Sequence, residues 1–203
     1  AAHHAELGKS LGGLGGYDGV ARQLPRMAAT GITAIELMPV GEFPGTRNWG
    51  YDGVLPYAAQ HTYGTPEQLC SLIDQAHGHG LMVMLDVVYN HFGPDGNFLH
   101  AYAGPFFRED RQTPWGAAID FRRPDPREYS IQNALMWLCD YRLDGLRLHA
   151  VHAIDQPHLL VQLSRRAPVA AAPLRQIRPP LHHARACAPL PPHGCAVACT
   201  HAA

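Results

Sequence analysis

The amino-acid sequence predicts an α/β fold: the first part of a (β/α)₈ barrel, truncated, followed by a disordered, unrelated C-terminal tail. Strand-like and helix-like segments alternate between residues 17 and 156. Residues 81–88, LMVMLDVV, are almost unbroken in hydrophobicity, which is typical of a strand buried on both faces of a parallel sheet. No Gly-x-Gly-x-x-Gly phosphate loop follows a strand, which favours a barrel over a doubly wound sheet. Because a complete barrel needs roughly 250 residues, we expect only about its first half here.

The first part of the chain divides by composition. Residues 1–16 have no sustained period and are rich in Gly and His, which predicts an irregular segment ahead of a partial barrel domain at 17–156. Residues 17–30 carry apolar side chains at helical spacing, and Gly31 ends that run as a C-terminal glycine does. A short strand at 32–40 and a long loop at 41–63 follow.

The clearest helix signal begins at Thr65. Thr65, Pro66 and Gln68 give the Thr-x-x-Gln capping pattern with proline in the first turn. An apolar face follows, and the glycines at 78 and 80 end the helix. We then predict a strand at 81–88, an irregular region at 91–126, a helix at 127–141 and a short strand at 146–151.

The composition changes abruptly after residue 156. Residues 157–203 contain no Asp, Glu, Lys, Asn, Phe, Tyr or Trp, and we expect them to form no normal core. Such a break is typical of a reading-frame shift in a GC-rich coding sequence. A natural low-complexity tail is the alternative.

Charge and cysteine content narrow the classes of function. The net charge of −1 gives no electrostatic reason to expect nucleic acid or an anionic membrane as partner, so a neutral substrate fits better. No apolar run approaches 18 residues and no signal-peptide pattern is present, which favours a cytoplasmic protein. Five cysteines, an odd number, argue against a disulfide framework. The chain starts with Ala1 rather than methionine, which agrees with a fragment.

A polar pair lies on the strand predicted at 146–151. Alternation places Arg147 and His149 on one side of the strand, opposite the apolar residues. In a closed barrel that side is the interior, where a charged residue is tolerated only near the open end and with a partner. The usual partner of such an arginine is a carboxylate.

Two loops supply further candidate residues. Asp86 lies at the carboxyl end of the strand at 81–88 and His91 in the loop after it, where barrel enzymes build their sites. Trp49 and Tyr51, in NWGYDG, offer flat faces on which the C–H faces of a sugar can stack. A loop aromatic that closes the barrel edge is the alternative for Trp49.

Three segments resemble the alpha-amylase family of glycoside hydrolases: NWGYDG, DVVYNH and DGLRLHAVHAI. In that family the fourth strand carries Arg-x-Asp, and the Asp is the nucleophile that forms a glycosyl-enzyme. His149 stands at that position, beside Arg147. A retaining glycosidase needs two carboxyl groups roughly 5 Å apart, so the resemblance implies that this chain is inactive.

The same resemblance implies roles for the other candidates. Asp86 would support Arg147, His91 would hydrogen-bond the sugar in the cleaved subsite, and Tyr51 would form the floor of that subsite. His152 matches a leaving-group subsite position, with a histidine of no role as the alternative. No residue matches the general acid or the third acid of the family, and no cofactor or metal is implied.

Two further stretches, HFGPDGN and TPWGAAIDF, resemble the trehalose-releasing members of the family. These hydrolyse the α-1,4 bond next to the trehalose end of maltooligosyltrehalose. The expected partner is therefore maltooligosyltrehalose or another α-glucan. A branching enzyme shares NWGYDG and DGLR and is the nearest alternative. A non-catalytic glucan-binding relic is another.

Zinc is an alternative of a different class. The donors would be Asp86, His91, His149 and His152, or the tail residues Cys187, Cys195 and Cys199. The tail spacings match no common zinc module, which makes this reading unfavourable.

Overall fold

The structure is a computed structural model that describes residues 15–154, 157–170 and 196–199. Its helices are α1 (Gly16–Ala21), α2 (Leu24–Ala29), α3 (Pro66–Gly78), α4 (Leu99–Tyr102), α5 (Pro124–Leu135) and α6 (Pro157–Ala170). Its strands are β1 (Ala34–Leu37), β2 (Gly41–Glu42), β3 (Leu55–Ala59), β4 (Met82–Val87), β5 (Phe107–Thr113), β6 (Gly116–Ile119), β7 (Gly145–Leu148) and β8 (Ala196–Cys199).

The central element is a parallel sheet with the strand order β1-β4-β7-β8. Parallel neighbours require crossovers, and α3 supplies the one between β1 and β4 while α5 lies between β4 and β7. Leu85, Leu146 and Leu148 are buried in the sheet. The partial α/β barrel predicted from the sequence is confirmed in its strand–helix alternation.

The capping pattern at Thr65 is also confirmed. The Thr65 hydroxyl accepts the Gln68 backbone N–H at 3.3 Å, and the Gln68 side chain accepts the Thr65 N–H at 2.8 Å. This reciprocal pair satisfies two amide donors at the start of α3. The predicted inward residues Leu69, Leu72 and Ile73 are buried.

Several boundaries differ from the prediction. The helix predicted at 17–30 is two short helices, α1 and α2, joined at residues 22–23. The loop at 41–63 contains the antiparallel pair β2–β3, and the irregular region at 91–126 contains the hairpin β5–β6. The helix predicted at 127–141 starts at Pro124 and continues beyond α5 as a π-helical turn, Met136–Asp140. The loop of the β5–β6 hairpin, residues 114–115, is Pro-Trp rather than the Asn-Gly or Asp-Gly pair that marks a two-residue turn, and residues 43–54 separate β2 from β3. Neither pair therefore carries a local hairpin signal.

The prediction that residues 157–203 form no core is wrong for α6. Leu159, Leu163 and Ala167 recur four residues apart and are buried, so one face of α6 packs into the hydrophobic core. The averaged composition of 47 residues concealed this local pattern. The prediction for residues 171–195 and 200–203 falls outside the described part of the chain.

Among the residues described, no helix is both long enough and apolar enough to cross a membrane.

Candidate active site

The candidate residues meet at the carboxyl ends of β4 and β7. Asp86 on β4 and Arg147 on β7 are partners in the parallel register, so their side chains point to the same side of the sheet. The His149 backbone N–H continues the ladder by donating to the Val87 carbonyl at 3.0 Å. Arg147 and His149 therefore lie together at the carboxyl edge of the sheet, as the alternation of polar and apolar residues in the strand predicts.

Asp86 is the centre of a buried hydrogen-bond network. Arg147 Nη1 donates to Asp86 Oδ2, and the Tyr51 hydroxyl donates to the same oxygen at 2.8 Å. Only 2% of Asp86 is exposed. Burial opposes the charge of Arg147, but Asp86 outweighs this effect and raises the pKa of Arg147. Burial and the hydrogen bond to Asp86 raise the pKa of Tyr51. The arginine is thus charged and the tyrosine is a neutral donor.

The NWGYDG loop is shaped by Asn48. Its side-chain oxygen accepts the Gly50 N–H at 2.7 Å and the Asp52 N–H at 3.4 Å, and its Nδ2 donates to Asp52 Oδ2 at 2.6 Å. Gly50 has a φ of 96°, and a Cβ there would lie 2.2 Å from the Pro39 carbonyl oxygen. Only glycine allows this backbone to approach so closely. The turn places Tyr51 over Asp86.

A second close approach joins this loop to the one after β4. The Gly93 N–H donates to the Gly53 carbonyl at 3.0 Å, and a Cβ on Gly93 would lie 2.1 Å from the Asp52 carbonyl oxygen. His91 Nε2 lies 2.8 Å from the Tyr51 carbonyl oxygen. Because a carbonyl only accepts, Nε2 carries the proton in this bond. The two loops thus fix each other.

His91 is enclosed in the structure. Only 5% of the residue is exposed, and the indole of Trp115 stacks on its ring at a centroid distance of 4.6 Å. Its Nδ1 is buried and has no hydrogen-bond partner in the structure. Burial, opposed by the Tyr51 carbonyl, lowers the pKa of His91. A sugar would reach His91 only after Trp115 moves.

His149 lies directly after β7, between two groups of the network. Its ring centroid is 4.4 Å from that of Tyr51, and its Nδ1 is 3.4 Å from Arg147 Nη1. Burial is the largest effect on its pKa and lowers it, and Arg147 and His152 act in the same direction against Asp86. The following residue, Ala150, has a left-handed backbone with a φ of 47°. A neutral imidazole is therefore favoured at this position.

The remaining candidates lie at the periphery. Trp49 is 72% exposed, and His152, in the 3₁₀ turn Val151–Ala153, is exposed as well. The sequence analysis did not assign a role to Trp115, which the β5–β6 hairpin carries onto His91. Trp115 lies in TPWGAAIDF, the stretch that resembles the trehalose-releasing members of the family, and this resemblance is the signal that could have pointed to it.

No group of three or more His, Cys, Asp or Glu side chains is arranged to hold a metal ion in the ranges that the structure describes. Cys70 and Cys139 form no disulfide in the described part of the chain. Of the cysteines considered for zinc, Cys187 and Cys195 lie outside those ranges.

Comparison with known families gives the class of protein to which this chain belongs. Residues 8–112 match the model "Alpha amylase, catalytic domain", which is half of the chain. The chain belongs to the alpha-amylase family of glycoside hydrolases.

Several of the most similar curated relatives belong to one group within this family, the malto-oligosyltrehalose trehalohydrolases. A malto-oligosyltrehalose trehalohydrolase from Deinococcus radiodurans is 46% identical over 154 residues, which are 74% of this chain and 26% of the relative. That of Saccharolobus solfataricus is 45% identical over 143 residues, covering 69% of this chain and 25% of the relative. The sequence resemblance to this group is confirmed. The chain spans about a quarter of the length of these relatives.

Solved structures agree with the fold. A Salmonella typhimurium protein provisionally described as an alpha-amylase superposes with a TM-score of 0.73 at 47% identity, over 74% of this chain and 26% of that one. The alpha-amylase of Geobacillus thermoleovorans gives 0.68 at 23% identity, over 74% and 37% of the two chains, which supports the fold alone.

Proposed function

We propose that this chain is part of the catalytic barrel of a trehalose-releasing glycoside hydrolase. Its substrate would be maltooligosyltrehalose, cleaved at the α-1,4 bond next to the trehalose end. The proposal is supported by the trehalohydrolase relatives, which are 44–47% identical over 69–75% of this chain in six cases. A neutral oligosaccharide also suits the near-zero net charge.

One observation carries the assignment of the subsite. Tyr51 and Arg147 converge on one oxygen of the buried Asp86, at the carboxyl ends of adjacent parallel strands. Sites of barrel enzymes lie at this end of the strands. In this proposal Tyr51 is the floor for the sugar next to the cleaved bond, and Asp86 holds Arg147 in place. Trp49 and His152 contribute at the exposed rim, and His91, which lies beneath Trp115, contributes once Trp115 moves.

His149 determines what the subsite can do. By resemblance it occupies the nucleophile position, where a carboxylate would attack the anomeric carbon and stabilise its positive charge. A neutral imidazole next to Arg147 supplies no negative charge, and a protonated one would repel the transition state. No residue of this chain matches the general acid. We therefore propose that the chain binds glucan without turning it over.

A branching enzyme is the second candidate. The branching enzyme of Rhodopseudomonas palustris is 40% identical over 145 residues, 66% of this chain and 20% of that protein. A branching enzyme transfers a glucan segment, whereas a trehalohydrolase releases trehalose. The two functions can be distinguished by the product formed once the missing part of the barrel is supplied from a relative and His149 is replaced by Asp. Released trehalose would indicate a trehalohydrolase, and a transferred glucan segment would indicate a branching enzyme.

Titration calorimetry with maltooligosaccharides tests the subsite. We expect weak binding that Tyr51→Ala lowers by roughly ten-fold, equivalent to about 1.4 kcal/mol. Tyr102→Ala is the matched control, because Tyr102 is exposed on α4 and should leave the affinity unchanged. Binding that Tyr51→Ala leaves unaltered would refute the subsite.

A further inference from the structure

A second buried polar cluster lies at the amino ends of β4 and β7, the opposite end of the sheet from the candidate site. Asp144 precedes β7, and its Oδ2 lies 2.9 Å from Nε2 of His77 on α3. The same oxygen accepts the Val83 N–H of β4 at 2.7 Å. The side chain of Asp144 is 4% exposed and that of His77 is 17% exposed. Because a carboxylate only accepts, Nε2 of His77 carries a proton in this contact.

Asp144 binds both backbone groups of Val83. Its carboxylate accepts the Val83 N–H, and its own N–H donates to the Val83 carbonyl at 2.9 Å. A buried backbone N–H without a partner costs free energy, and neither Leu143 nor Gly145 has a side chain that could accept it. The cluster therefore fixes which residue of the chain lies opposite Val83.

The apolar pattern of β7 does not by itself exclude every error in register. A slip by one residue would turn the buried leucines of β7 away from the core, so burial already opposes it. A slip by two residues keeps each side chain on its own face of the sheet. It would move the strand by roughly 6.6 Å and separate Arg147 from Asp86, which are partners in the observed register. The contact of Asp144 with Val83 is specific to one position and distinguishes the two arrangements.

An exposed ion pair joins the same two elements and provides a comparison. Arg142 Nη1 lies 2.6 Å from Asp74 Oδ1, so the turn before β7 contacts α3 there as well. These side chains are 44% and 59% exposed, and water and salt screen such a pair. Loss of His77 would instead leave the buried carboxylate of Asp144 without its side-chain partner, which is far more costly.

We propose that His77 and Asp144 are positioning residues, which set the register of β7 on β4. This register in turn holds Arg147 against Asp86 at the far end of the strand. His77 acts through Asp144, because its N–H donor keeps the buried carboxylate turned toward Val83. The inference deepens the proposed function, since the residues it positions belong to the proposed sugar subsite, but the register can be measured without sugar.

Backbone amide exchange of the whole chain, followed by NMR, tests the proposal with His77→Leu. A local structural role would speed the exchange of the Val83 amide alone. Control of the register would also reach the carboxyl end of β7, where the His149 N–H donates to the Val87 carbonyl. We expect His77→Leu to speed exchange at both amides by at least roughly ten-fold. The NOE between the rings of Tyr51 and His149, whose centroids are 4.4 Å apart, should be lost.

Two further variants separate the register from general stability. His77→Gln keeps an N–H donor of similar reach and should restore slow exchange and the ring contact. Asp74→Ala removes the exposed pair between the same elements and should change neither. If His77→Leu does not fold, His77→Asn takes its place, because its shorter amide does not reach the carboxylate. Unchanged His149 exchange and ring contact in the folded variant would overturn the proposal, and so would failure of His77→Gln to restore them.

Calorimetry with maltooligosaccharides distinguishes this inference from the proposed function. If both are right, His77→Leu lowers the affinity by roughly ten-fold and His77→Gln does not. Absence of binding to the unaltered chain would refute the subsite, while amide exchange and the ring contact would still decide the register. Unchanged affinity in a variant that has lost the ring contact would likewise refute the subsite and leave the register assignment supported.

Discussion

At the scale of single residues, the main question is the group at position 149. In a chimera where residues 15–154 replace the matching segment of the Deinococcus radiodurans relative, the form with His149 should be almost inactive. His149→Asp should raise trehalose release from maltooligosyltrehalose by roughly 10⁴- to 10⁶-fold, the usual effect of a hydrolase nucleophile.

The control is His149→Asn, which has the size of the carboxylate without its charge. It should stay inactive, because stabilisation of an oxocarbenium-like transition state requires the negative charge. Comparable rates for the His149 and His149→Asp forms would show that another group attacks the sugar. The nucleophile assignment would then be abandoned.

The two histidines of the site should titrate below their ordinary range. Burial is the largest cause of the lowered pKa of both His91 and His149, for which the unperturbed value is 6.5. Between the folded pKa and 6.5 the unfolded chain binds more protons, so the stability falls as the pH drops through this window. Imidazole NMR measures both titrations, and the chain in denaturant is the reference. Midpoints at or above 6.5 in the folded chain would contradict the burial argument.

Residue patterns predicted the geometry of the candidate site where a local rule applies. Alternation in the strand placed Arg147 and His149 on one side, and the register with β4 brings Asp86 to them. The contact of Trp115 with His91 depends on how the β5–β6 hairpin folds over the loop after β4. No spacing rule within the sequence encodes such a contact, because it depends on tertiary packing.

At the scale of elements, the NWGYDG loop and the loop after β4 position the site through contacts between their backbones. Gly93→Ala would place a Cβ 2.1 Å from the Asp52 carbonyl oxygen, so the NWGYDG loop would have to move. We expect maltooligosaccharide binding to be lost, as measured by calorimetry. Gly78→Ala is the matched control, because a Cβ there meets nothing within 4 Å. Gly78 is the last residue of α3, so this change should leave both the fold and the binding intact. Full binding by the Gly93 variant would show that the loops adapt.

Elements were predictable to the extent that their signals are local. α3 has a capping box and an apolar face within 13 residues, and it was predicted correctly. α6 was missed because the surrounding low-complexity composition hid three apolar residues at helical spacing. The β5–β6 hairpin was missed because its Pro-Trp loop lacks the usual two-residue turn signal, and the β2–β3 pair was missed because residues 43–54 separate its strands. Sequence reasoning thus located the crossover units better than the insertions that cover the site.

At the scale of the whole molecule, the parallel sheet is open in the described part of the chain. Among the described strands β1 has a partner on one side only, and Ile32 and Met82 beside it are 43% and 48% exposed. In solved structures with a similar fold, the matched region is about a quarter to two fifths of the length. A complete barrel would therefore cover much of the surface that is exposed on this sheet.

The unfolding of the 203-residue chain should reflect this open edge. Unpaired strand edges and exposed apolar side chains favour association and weaken cooperativity. We expect a broad thermal transition by circular dichroism, with apolar dye binding below it, and a tendency to form oligomers at higher concentration. The chimera with the Deinococcus radiodurans relative should instead unfold sharply, because the added strands cover β1 and complete the core. A sharp single transition in a monomer of the 203-residue chain would contradict this prediction. It would mean that the four-stranded sheet with its helices is a cooperative unit without further strands.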